Sequence, residues 1–100
     1  MAAPLLTGRE RKALRGLAHH LEPVVHVGSA GLSEAVLRQV DDALRAHELV
    51  KVRLHQPVDK HSDAETLAAA TDAALCGMVG HVVILYRPDP ERPKITLAKG

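Results

Sequence analysis

Tryptophan and phenylalanine are missing from this chain of 100 residues, and Tyr86 is the one aromatic side chain among Phe, Trp and Tyr. That excludes recognition sheets that stack bases on interleaved aromatics. The core must instead be filled by Ala, Leu and Val. Cysteine is almost as scarce: Cys76 alone allows no internal disulfide and no thiolate zinc site, and nothing asks for an oxidising compartment. Long apolar runs are lacking too. The longest, Val82 to Tyr86, falls far short of the roughly 18 residues that span a bilayer. Met1 to Leu6 has no charged segment leading into a long apolar stretch, so no membrane partner and a cytoplasmic location are expected.

A dominant charge sign is also absent, since 13 cations against 12 acids leave +1. The total hides two poles. Arg9, Arg11, Lys12 and Arg15 against Glu10 make the first 20 residues basic, whereas Asp59, Asp63, Glu65 and Asp72 against Lys60 make the third quarter acidic. Such asymmetry creates a local field that net charge does not report. The length allows one domain, and 46% apolar with 25% charged residues is ordinary for a soluble globular one.

Thr7 and Glu10 form a capping-box pattern that starts a helix near Gly8. Its Leu14, Leu17, Ala18 and Leu21 share one stripe, and Arg9, Lys12, Arg15 and His19 share the opposite face. Pro23 ends this element, and Pro23 to Val27 reads as a short buried strand running into Gly28-Ser29-Ala30-Gly31. Ser33 caps a second helix with Val36, Val40, Ala43 and Leu44 inward. Leu49 to Leu54 alternates, with Val50, Val52 and Leu54 on one side and Lys51 with Arg53 on the other. Ser62 and Glu65 suggest a second capping box opening an Ala-rich helix to about Ala74. Cys76–Val79 and Val82–Arg87 form a hairpin through Gly80-His81, and Lys94 to Ala98 could add an edge strand. The expected fold class is α/β: a single compact domain, helix-strand-helix-strand-helix-strand-strand, with a four-stranded mixed sheet flanked by helices.

The most specific local feature is the glycine pair Gly28 and Gly31 between a strand and a helix. Glycines let backbone approach a ligand without Cβ interference, and the amides around Ser29 and Ala30 would face an anion such as a sugar-phosphate backbone. Glycine used for turn geometry alone explains the spacing equally well. The unmixed basic ridge of the first helix favours the phosphate reading. Seven histidines show neither HExxH nor paired Cys/His spacing, so no metal and no cofactor are expected. Asp41, Asp42 and Glu22 lack partners that would mark an acid and a base, and Cys76 before Gly77 reads as inert filler. No catalytic residue is expected.

Leu14 to His19, Pro23-Val24-Val25, Val27 to Ser33, His47 to Val52 and Leu85 to Pro88 follow one another as in the YhbY family of bacterial RNA-binding proteins, stand-alone CRM domains. The resemblance runs from about Thr7 to Lys99, which places a tail at residues 1–6 and one domain at 7–99. It implies a fold similar to the C-terminal domain of bacterial translation initiation factor three. It also implies association with ribosomal RNA in precursors of the large ribosomal subunit, with the glycine loop and the basic first helix on the RNA. The family often has polar or basic residues between the glycines, where this chain has Ser29 and Ala30, and a basic residue where it has Glu22.

The residues expected to contact RNA are therefore Gly28, Ser29, Ala30, Gly31, Arg9, Arg11, Lys12, Arg15, His19, Lys51, Arg53 and Arg87. Binding is expected to be weak, salt-sensitive and largely sequence-independent, by a monomer and without a DNA partner. Two other readings stand beside this one. One is a protein-interaction module that presents its acidic side and Ala-rich helix to a ribosomal or assembly protein. The other is an enzyme acting on a phosphorylated small molecule at the glycine loop, for which only His26 lies nearby in sequence.

Overall fold

The computed structural model describes residues 3–95. Its elements are α1 (Gly8–Ala18), β1 (Pro23–Val27), α2 (Glu34–His47), β2 (Leu49–Leu54), α3 (Lys60–Ala70), β3 (Ala74–Val79) and β4 (Val82–Tyr86). Each helix starts at a polar cap. Thr7 Oγ1 accepts from the Glu10 amide while the Glu10 carboxylate accepts from the Thr7 amide, Ser33 Oγ accepts from Val36, and Asp59 Oδ1 accepts from Ser62.

The strands form one sheet in the order β1-β2-β4-β3. β1 runs parallel to β2, and β4 lies antiparallel to both β2 and β3. The crossovers through α2 and α3 move along the sheet in the same direction, which puts both helices on the same face. There Val25, Val27, Val50, Val52, Leu54, Val83 and Leu85 meet Val40, Leu44, Ala64 and Leu67 in the main core. On the other face α1 covers only part of the sheet: Leu14 and Ala18 pack with Leu49, Cys76, Ile84 and Tyr86, and Leu6 and Ile95 close the margin. The remainder of that face is open.

Several boundaries and faces differ from the sequence expectations. The third helix is capped by Asp59, not by Ser62, and so starts at Lys60, because Asp59 is itself a good cap; Ala64 and Leu67 are buried on it. It ends at Ala70, four residues early, and the chain pairs at once into β3 from Ala74. β4 stops at Tyr86, one residue short of the expected Arg87, whose amide still donates to the Glu48 carbonyl. β1 alternates between buried and exposed positions and is only half buried, since the sheet face bearing Val24 and His26 has no helix over it. For the same reason Leu17 and Leu21, at 49% and 39% exposure, are not core. Of the expected edge strand Lys94 to Ala98, Lys94 and Ile95 are not in a strand, and Thr96 to Ala98 lie outside the described residues.

Glu48 closes α2 with φ of +63° and is completely buried. Its carboxylate accepts from the amides of Asp89, Lys94 (2.7 Å) and Ile95 (3.0 Å). One acid thus fastens the segment after β4 onto the body of the domain.

Candidate nucleic-acid interface

Parallel pairing of β1 with β2 brings Val27 level with Leu54, and the Leu54 amide donates to the His81 carbonyl. Three connections therefore sit side by side at one end of the sheet: the glycine loop, the segment from His55 to Asp59, and the turn at Gly80-His81. Within the glycine loop the Gly31 amide donates to the Gly28 carbonyl at 3.0 Å, and Gly31 has φ of +74°, a conformation that favours glycine. Gly31 thus serves the turn. Gly28 has no such need, since a Cβ there would meet nothing within 4 Å. Ser29 and Ala30 are exposed residues, and their amides make no hydrogen bond among the described residues. Two free amides beside an unobstructed glycine are what an anion at a loop requires.

The open sheet face carries the second part. A groove of about 330 Å³ is lined there by Arg15, His19, Leu21, Glu22, Pro23, Lys51, Arg53, Val79, Val82 and Ile84. Alternation on β2 points Lys51 and Arg53 to this side while Val50, Val52 and Leu54 enter the core. Lys51 Nζ donates to the Leu21 carbonyl at 3.1 Å, which ties the end of the α1 segment across the sheet. Arg15 lies over β3, its guanidinium donating to the Cys76 carbonyl at 3.0 Å. Glu22 is the one carboxylate among the described lining residues. Arg53 also borders a hollow with Val79, Gly80, His81 and Val82, toward the sheet end that bears the glycine loop.

The other expected contacts divide. Arg9 and Lys12 are exposed on the outer side of α1 and line neither this groove nor the one at the glycine loop. Arg11 is half buried and donates to the Leu6 carbonyl at 2.8 Å, so it fastens the start of the helix. Arg87 departs from expectation altogether. Its guanidinium donates to Asp41 Oδ1 and the Thr71 carbonyl, each at 2.7 Å, and its side chain is only 12% exposed. It clamps α2 to the end of α3 on the far side of the sheet, because the alternation that points Val83 and Leu85 toward those helices continues to Arg87, whose amide still donates to the Glu48 carbonyl at 2.8 Å.

Sequence reading missed a groove of about 450 Å³ beside the glycine loop, bounded by Gly28, Ser29 and Gly31 on one side and by His55 to Asp59 with Asp63 on the other. Cys76 is buried, and burial pushes its thiol up to about 11 despite the pull of Arg15 and Arg11. Among the described residues no group of three or more His, Cys, Asp or Glu side chains is placed to hold a metal ion. None of the described helices is long and apolar enough to cross a membrane.

The CRS1/YhbY (CRM) domain matches residues 6–87. The chain belongs to that family. An RNA-binding protein of Haemophilus influenzae is 40% identical over 94% of this chain and 96% of its own length. A probable RNA-binding protein of Methanocaldococcus jannaschii is 47% identical over 83% of this chain, a match that spans 64% of that longer protein. The solution structure of protein SAV1595 from Staphylococcus aureus, a candidate RNA-binding protein, superposes with a TM-score of 0.82 at 36% identity, covering 94% of this chain and all of that one. The helices and four-stranded mixed sheet expected of a CRM domain are thus present in the chain and in a relative.

Proposed function

We propose that this CRM domain binds RNA, and that its target is ribosomal RNA in precursors of the large ribosomal subunit, in the cytoplasm, as a monomeric assembly protein that performs no catalysis. The observation that carries the reading is the convergence of Arg15, His19, Lys51 and Arg53 on one groove of the open sheet face. A cationic groove with apolar walls and no aromatic platform suits phosphates and sugar edges better than stacked bases. The glycine loop at the end of the same sheet adds two free amides for a further phosphate. The RNA-binding names of the relatives and the resemblance to YhbY proteins support RNA, and ribosomal RNA in particular, as the polyanion. Arg9 and Lys12 add long-range attraction from the outer side of α1.

The test is binding to large-subunit ribosomal RNA fragments across a salt series. With about four phosphates held, log K falls against log salt with a slope of about −3, using roughly 0.7 per phosphate for single strands. Lys51→Glu with Arg53→Glu removes two contacts and reduces the magnitude of the slope by about 1.4 on the same coefficient. A salt-independent response, unchanged by the double variant, would refute RNA binding and turn the search to a protein partner.

A further inference from the structure

The groove beside the glycine loop has the opposite character to the groove on the sheet face. No lysine or arginine lines it among the described residues, and its charged lining is Asp59 and Asp63. Lys60, the cation next in sequence, turns its ammonium away to the Gly80 carbonyl at 3.2 Å. A phosphate therefore has no counter-charge inside this groove, although the amides of Ser29 and Ala30 offer one a place at the rim. A base attached to that phosphate would enter between the loop and Pro57, with the fully exposed Val58 as an apolar wall.

The two acids are not equivalent. Asp59 Oδ1 is engaged as the cap of α3, accepting from the Ser62 amide at 3.1 Å. Asp63 is half buried, and its carboxylate makes no hydrogen bond or ion pair among the described residues, so its acceptor positions are open to a ligand. An ionised carboxylate only accepts, and two neighbouring donors satisfy it best. Among the four RNA bases only guanine presents two adjacent donors on one edge, N1–H and the N2 amino group. Adenine and cytosine place an acceptor nitrogen beside their amino group, and uracil flanks its N3–H with two carbonyls.

We infer that this groove takes one unstacked base of the bound RNA and selects guanine, with Asp63 as the residue that sets the choice. The inference rests on the RNA-binding reading above and adds one position of base choice to binding otherwise held by phosphates.

The test uses fluorescence anisotropy with the pentanucleotide UUGUU and its variants carrying inosine, adenine or uracil at the centre, for the full chain and for Asp63→Ala. Guanine is expected to bind about tenfold tighter than adenine or uracil, within the range of one bidentate base contact. Inosine, lacking the N2 donor, loses most of that advantage. Asp63→Ala erases the preference and leaves the all-uracil affinity unchanged or slightly raised. Equal wild-type affinity for all four centres, or a guanine preference that survives Asp63→Ala, overturns the inference and leaves RNA binding intact. Binding of the ribosomal fragments without any pentanucleotide binding also overturns it alone, since a single-stranded base is what the groove is held to take. Failure of every RNA to bind removes both readings.

Discussion

The stem of Arg15 occupies the space that a side chain at position 77 would need: a Cβ built on Gly77 would stand 2.5 Å from Arg15 Cδ and 3.2 Å from Cγ. Together with the bond to the Cys76 carbonyl, this contact lays the guanidinium along β3 at the edge of the sheet-face groove. Gly77→Ala therefore moves Arg15. Strand alanine is normally worth about 0.5–1 kcal/mol over glycine, and displacement of a partly exposed arginine offsets that gain. Chemical denaturation should detect a change of no more than about 1 kcal/mol, while RNA affinity falls several-fold. Unchanged affinity would remove Arg15 from the interface.

Arg87 gives the converse result. With its guanidinium shared between Asp41 and the Thr71 carbonyl, Arg87→Ala leaves Asp41 with only the solvated Arg45, 3.2 Å away, as an ion-pair partner. The expected cost is about 2–3 kcal/mol, below the value for a fully buried pair because the Asp41 side chain is one-third exposed. RNA affinity of the folded fraction should match the wild type; a selective loss of binding would return Arg87 to the RNA surface.

Glu48 holds three amides of the segment after β4 from a wholly buried position. Hydrogen bonds to charged groups are worth more than neutral ones, so Glu48→Ala should lower stability by about 2–4 kcal/mol after allowance for water reaching the freed amides. Limited proteolysis should then cut between Arg87 and Lys94 far faster than in the wild type. Equal cleavage rates would show that the segment is held by other contacts.

Features that act over a few residues were legible before the structure: the Thr7–Glu10 box, the Ser33 cap, the alternation of Leu49 to Leu54 and the two-residue turn at Gly80-His81. Each is decided by local backbone chemistry. The site was legible only in part. A helical wheel groups Arg9, Lys12, Arg15 and His19, but it does not say which edge of a sheet the helix covers; that placement brings Arg15 and His19 to the groove and leaves Arg9 and Lys12 outside it. Partners distant in sequence, Arg87 with Asp41 and Arg15 with Gly77, carry no local signal. Asp63 counted only toward an acidic quarter of the chain, because its meaning depends on the glycine loop facing it across a groove.

Cys76 should be inert in the folded protein. Burial raises its thiol from 9.0 to about 11, so at pH 8 only about one molecule in a thousand carries the thiolate, and the sulfur is enclosed as well. Alkylation at pH 8 should be negligible until denaturant is added. The raised value also fixes a sign: the thiol form stabilises the fold fully below pH 9, and that contribution is lost as pH rises through 11. Fast alkylation under native conditions would show that the sheet opens locally at β3.

The glycine loop offers a separation of fold from function, because its two glycines have different reasons to be glycine. At Gly31 the φ of +74° strains any other residue, and Gly31→Ala should cost about 1–2 kcal/mol. At Gly28 the backbone is ordinary and a methyl group would meet open space, so Gly28→Ala should leave the denaturation midpoint where it is. That methyl would nevertheless stand at the mouth of the loop, where a phosphodiester would have to approach the Ser29 and Ala30 amides. A several-fold loss of RNA affinity with unaltered stability is the expected outcome for Gly28→Ala, read by anisotropy beside a thermal melt. Wild-type affinity in that variant would mean that no phosphate approaches the loop on that side, and the RNA would then be held by the sheet-face groove alone.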